Sequence, residues 1–151
     1  MQYIEQVKPS VVVTAFGTEN TTRGSFNGTV WLDGLQSTMR RLHAASPRVV
    51  EIGNNAALPM DPALCLTRPH VDVATCAGGY AYRQIVDAEA RVVGASGAAF
   101  IDVEPWYCVG GRCPVIIGGT IAYRDNDHLE PQYVRVVEPL LAARLKRIGL
   151  R

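Results

Sequence analysis

Short apolar runs alternate along this chain with segments whose apolar residues recur every three or four positions, the pattern of βαβ units and a mostly parallel sheet. Ser10-Val-Val-Val-Thr-Ala-Phe16 is β-branched, introduced by Pro9 and stopped by Gly17, and predicts a buried strand. The polar stretch from Thr18 to Gly28 predicts a loop on the C-terminal edge of that sheet, where α/β proteins keep their chemistry. Trp31, Leu35, Met39 and Leu42 then recur at helical spacing, predicting an amphipathic helix from about Val30 to Ala45 that ends before Pro47. Arg48 to Gly53 predicts the second strand, which empties into a long Pro-containing loop from Asn54 to about Gly79. A second helix is predicted from Tyr80 to about Gly94, with Ile85, Ala88, Val92 and Val93 on its apolar face, followed by a third strand from Ala98 to Val103. Glu104 to Gly119 is turn-rich, with one short strand at Val115 to Ile117. The chain closes on a helix from Pro131 to Ile148, with Pro at its first turn and Val134, Val137, Leu141 and Leu145 on one face.

Composition narrows the picture. With 48% hydrophobic and 19% charged residues over 151 positions, residues 1–151 read as a single folded domain. Fifteen basic against 14 acidic residues leave a net charge of +1, which supplies no field for nucleic acid or an anionic membrane, so no nucleic-acid partner is expected. The basic end, Arg144 to Arg151, reads as cations at a helix C-terminus. No apolar run approaches the roughly 20 residues that span a bilayer, and Met1 to Pro9 lacks a signal-peptide hydrophobic region.

The four cysteines fall into two local pairs inside loop-like segments, Cys65 with Cys76 and Cys108 with Cys113. Such pairs predict disulfides, which persist in oxidising compartments and contribute roughly 3 kcal/mol for the longer closure and about 2 kcal/mol for the shorter. A zinc site would call for close pairs such as C-x2-C, which C-x10-C and C-x4-C do not supply. Four reduced, buried cysteines in a cytosolic protein are the alternative. Disulfides without a leader are reconciled if the sequence is the tail of a longer exported or membrane-anchored protein.

One constellation carries chemistry. Asp125 and His128 stand three residues apart in Tyr123-Arg-Asp-Asn-Asp-His-Leu129, between a strand-like segment and the last helix. A carboxylate holding one imidazole nitrogen fixes the tautomer, so that the other nitrogen accepts a hydroxyl proton in acyl transfer. Taken alone, D-x-x-H reads as a helix-approach cap beside an ordinary loop histidine. Ser96 in Gly94-Ala-Ser-Gly97 follows a helix and precedes a strand, the reverse of a nucleophile elbow, and reads as a helix stop. Ser25 lies on the expected sheet edge and is the fallback nucleophile. His43 is expected at a helix end and His70 in the stapled loop, neither with a second metal ligand at useful spacing. Trp106 and Tyr107 suit either a pocket wall or packing.

Taken together, Ile101-Asp-Val-Glu-Pro-Trp-Tyr-Cys108, Cys113-Pro114 and Tyr123-x-Asp125-x-x-His128-Leu129 resemble the last block of the SGNH hydrolase-like domain fused to membrane acyltransferases that acylate cell-surface glycans. Trp31-Leu-Asp-Gly-Leu35, the strand ending Ile52-Gly53, and Pro62-Ala-Leu-Cys65 followed by Cys76 resemble its middle. The resemblance implies a three-layer α/β/α, flavodoxin-like fold and an O-acyltransferase or esterase of the cell envelope, with His128 as base and Asp125 as its partner. It implies an oxyanion donor at Asn20 or Asn27, an acyl-ester or glycan substrate, an upstream membrane acyltransferase domain as partner, and neither metal nor cofactor. The family's Gly-Asp-Ser block is missing, so the sequence is expected to begin after the first strand and to be inactive alone, with an unpaired edge at Val11 to Val13. A non-catalytic module that presents glycans is the competing expectation.

Overall fold

The first predicted strand forms where its β-branched residues are densest, and the sheet grows from it. The structure, a computed structural model, describes residues 2–17, 28–79 and 83–150. The chain divides into two units, Met1–Asn54 with Tyr82–Asp102 and Asn55–Ala81 with Val103–Arg151.

In the first unit, helix α1 (Gln2–Val7) precedes strand β1 (Val12–Ala15), helix α2 (Gly28–Ala45) and strand β2 (Val49–Ile52). Helix α4 (Arg83–Ala95) and strand β4 (Ala99–Ile101) complete it. The strands make a parallel sheet in the order β1-β2-β4, with Val12 opposite Val49 and Glu51 opposite both Thr14 and Phe100. This is the expected α/β architecture built on a parallel sheet. Helices α2 and α4 pack against each other and on the sheet, and Val12, Leu35, Met39, Leu42, Val49, Val93 and Ala98 form the core. Gly53 follows β2, its N–H still donating to the Ile101 carbonyl, and a side chain there would collide with the Phe100 ring, 2.8 Å from where a Cβ would lie. Helix α4 stops as predicted: the Ser96 hydroxyl donates to the Val92 carbonyl at 2.9 Å, and Gly97 takes φ +79°.

The buried face of α4 is Val86, Glu89 and Val93: Val93 is inside as predicted, whereas Ile85, Ala88 and Val92 are half-buried, one position round. A glutamate at a core position disguises this face in the sequence. Glu89 can sit there because the Trp31 indole N–H donates to its carboxylate at 2.7 Å, and burial pushes its carboxyl up, against that bond.

In the second unit, the predicted long loop holds a short helix α3 (Pro62–Leu66), a 3-10 turn at Val73–Cys76 and strand β3 (Gly78–Gly79). Asp61 starts α3 by accepting from the Ala63 and Leu64 N–H groups. After a 3-10 turn at Glu104–Trp106 come strands β5 (Arg112–Cys113), β6 (Ile116–Ile117) and β7 (Thr120–Ile121), then helix α5 (Pro131–Arg147). Both expected disulfides are present, Cys65–Cys76 and Cys108–Cys113. They are knitted together: β3 follows Cys76 and pairs antiparallel with β5, placing Gly78 opposite Cys113. Replacing Cys108 and Cys113 together by serine is expected to lower the unfolding free energy by about 2 kcal/mol, measured by denaturant titration of the oxidised protein.

Helix α5 buries Tyr133 and Val137, whereas Val134, expected inside, is 45% exposed. Tyrosine scores as ambiguous in a hydrophobic pattern, yet its hydroxyl here donates to the Trp106 carbonyl, so the whole ring can be buried. Pro139 removes one N–H from the middle of this helix.

Candidate functional site

The segment carrying Asp125 and His128 is a five-residue loop pinned at its neck. Tyr123 and Leu129 pair as an isolated antiparallel bridge, and Arg124 N–H donates to the His128 carbonyl at 2.9 Å. Behind the neck Tyr123 is fully buried, and Ala122 bonds to the Val115 carbonyl. The loop's outward carbonyls are also held, Asn126 by the Leu58 N–H at 2.6 Å and Asp127 by the Asn55 side-chain amide at 2.9 Å. A loop so fastened can hold side chains in fixed directions.

Inside the loop, Asp125 Oδ1 accepts from the Asp127 N–H at 3.1 Å and from the His128 N–H at 2.8 Å, an Asx-type turn. The turn brings the imidazole over its own anchor, with His128 Nδ1 at 2.9 Å from Oδ1 and 3.0 Å from Oδ2 of Asp125. A carboxylate only accepts, so Nδ1 carries the hydrogen and Nε2 is left for proton transfer. Slight burial pushes the Asp125 carboxyl up. The two backbone N–H groups, the His128 ring and the Asp127 side chain outweigh it and hold the carboxyl well below the usual carboxylate range. Asp125 therefore stays ionised at any physiological pH. The His128 side chain is 63% exposed, open to a reacting group.

The sequence named both members of this pair and missed a third. Asp127 Oδ1 also lies 2.9 Å from His128 Nδ1. The D-x-D-H spacing was its visible signal, but an i−1 carboxylate reaches the ring only because the Asx turn doubles the chain back. Asn55, which holds the loop from another segment, left no local signal at all. The helix-cap reading of Asp125 does not hold, since α5 begins after Glu130 and without a side-chain cap. Donor atoms of Asp125, Asp127 and His128 lie within 4.8 Å of one another, a spacing that also suits a cation. The Nδ1 hydrogen is directed at the Asp125 carboxylate, an arrangement suited to proton transfer at Nε2.

Other candidates fall elsewhere. Asn20, Ser25 and Asn27 lie outside the described residues, as does most of the predicted loop from Thr18 to Gly28, whose last residue opens α2. The Ser96 hydroxyl is committed to its helix end. His43 is half-buried against Gly97, and His70 sits at φ +56° in the stapled segment. Tyr107 is buried, which assigns it to packing. A cavity of about 720 Å³ is lined by Ala142, Leu145, Lys146 and Leu150, at the end of α5 away from His128.

Comparison with known proteins places these observations. The family model described as the SGNH domain fused to AT3 domains matches residues 1–143. Among solved structures, the chain is similar to the periplasmic domain of a lipopolysaccharide acetyltransferase from Salmonella ser. Paratyphi A, at 18% identity and a TM-score of 0.67, covering 93% of this chain and 60% of that one. It is also similar to a peptidoglycan O-acetylesterase, at 16% identity and a TM-score of 0.71, covering 96% of this chain and 39% of that one. The chain thus spans less than two thirds of either structure's length. No curated protein sequence matches it.

Proposed function

Because this chain belongs to the family of SGNH domains fused to AT3 domains, we propose that it acts on O-acetyl esters of cell-surface glycans or glycolipids, on the extracytoplasmic side of a membrane, as one domain of a longer acyltransferase polypeptide. The observation that carries the reading is the Asp125–His128 contact through Nδ1, which presents Nε2 as a general base. Two disulfides support an oxidising compartment. The similar structures, an acetyltransferase domain and an O-acetylesterase, favour acetyl as the group handled.

In this reading His128 Nε2 takes the proton of a serine hydroxyl as its oxygen bonds to the ester carbonyl carbon. The imidazolium, steadied by Asp125, returns that proton to the departing alcohol, leaving an acetyl-serine. A second alcohol, or water, then gives its proton to the same nitrogen while attacking the acetyl group, which restores the serine. Transfer and hydrolysis differ only in that acceptor. The sequence contains no Gly-Asp-Ser block, so the test uses the intact polypeptide in its own membrane. Deleting its gene is expected to remove alkali-labile acetate from the surface glycan, and the intact polypeptide is expected to restore it. Unchanged acetate after deletion refutes the reading, and glycan binding without acetyl turnover favours a presenting module instead.

A further inference from the structure

The geometry points to Asp127 as a second positioning carboxylate for His128, an anion standing beside the Nδ1 hydrogen that Asp125 receives, a role that rests on the proposed function of the same loop. Its Oδ1 stands 2.9 Å from Nδ1, as close as Asp125 Oδ1 does. The two acids are held differently. Asp125 is the structural anchor, its Oδ1 occupied by the backbone N–H groups of Asp127 and His128. Asp127 is fixed through its main chain, by its N–H to Asp125 and its carbonyl to the Asn55 amide, with its carboxylate beside the imidazole.

An imidazole with one Nδ1 hydrogen and two acceptors has two ways to keep the productive tautomer. Asp125 receives that hydrogen; with Asp125 replaced, a small turn of the ring brings it to Asp127 Oδ1, and both carboxylates stabilise the positive charge that appears when Nε2 takes a proton. The charged groups facing the ring are Asp125 and Asp127. Arg124 reaches Asp125 from the side, its Nε 3.6 Å from Oδ2, and draws off part of that carboxylate's charge. Asp127 has a side-chain exposure of 27%, slightly less than the 31% of Asp125, so it is no more screened by solvent than its neighbour.

Three variants of the intact polypeptide test this with a soluble acetyl ester. Asp127→Asn is expected to lower kcat roughly fivefold with KM unchanged, and to move the acidic limb of the pH profile to lower pH, because losing an anion weakens the base. Asp125→Asn keeps the turn, since its amide oxygen still accepts the two backbone N–H groups. Where one carboxylate alone orients the imidazole, such a change costs about 10⁴-fold through the wrong tautomer. With Asp127 present the loss is expected to stop at about 10²-fold, and Asp125→Asn/Asp127→Asn is expected to fall on the order of 10² further, far beyond the fivefold cost of Asp127→Asn alone. An unshifted acidic limb in Asp127→Asn, or a double variant no slower than Asp125→Asn, overturns the inference while leaving His128 as the base. Turnover that survives loss of His128 overturns both.

Discussion

His128→Ala in the intact polypeptide is expected to lower acetyl-ester turnover by about four orders of magnitude with little change in KM. Without the imidazole, nothing in the loop can replace it. Asp125 is locked to two backbone N–H groups and lies well below the usual carboxylate range, which makes it a poor proton acceptor at neutral pH. Asp127 faces Nδ1, the wrong side of the ring for the reacting hydroxyl. The substitution should hardly disturb folding, because the side chain is 63% exposed and the loop's hydrogen bonds run through the main chain of residue 128 and the side chain of Asp125. The measurement pairs steady-state turnover with the unfolding midpoint. A variant that keeps turnover within tenfold of wild type sinks the assignment, and a lowered midpoint would mean that the loss reflects folding.

Glu51→Gln is expected to stabilise the protein by about 3 kcal/mol at pH 8 and by nothing measurable at pH 4. Glu51 lies on the central strand, 4% exposed, on the face covered by α2 and α4. Burial pushes its carboxyl from 4.5 up to about 7, partly offset by hydrogen bonds from the Thr14 hydroxyl and the Phe16 N–H and reinforced by the nearby Glu89 charge. The native carboxyl therefore keeps its proton up to about pH 7, whereas the unfolded one releases it near 4.5. Between those values the native state binds more protons, so this group's contribution is complete below 4.5 and is lost as pH rises through 7. Glutamine removes the titration and still fits. Its amide oxygen can accept from Phe16 N–H, and its NH2 can donate to Thr14 once that hydroxyl turns to the Val50 carbonyl, 3.3 Å away. Denaturant unfolding at both pH values checks this, and parallel pH dependence in the two proteins would show that Glu51 is not the titrating group.

Where a segment's own residues determine its state, the sequence was legible. The β-branched run before Gly17, the apolar repeat from Trp31 to Leu42 and the Pro-led final helix all formed within a few residues of expectation, because local sterics and one-sided burial decide such elements. The cysteine pairs were legible from loop spacing, and Asp125 with His128 from the D-x-x-H spacing only in company with the surrounding blocks, the Asx turn that closes it being visible in the structure.

What the sequence could not determine depends on partners distant along the chain. Glu89 is a core residue only because Trp31 lies opposite it, 58 positions away, and Glu51 only because Thr14 and Phe16 reach it from the neighbouring strand. Tyr133 displaced Val134 from the inner face of α5 because a carbonyl at Trp106 was available to its hydroxyl. Asn55 steadies the His128 loop from 72 residues upstream of Asp127. Burying a carboxyl or a phenol costs least where a donor or acceptor meets it, as at Glu51, Glu89 and Tyr133, and tertiary structure alone decides where those meetings occur.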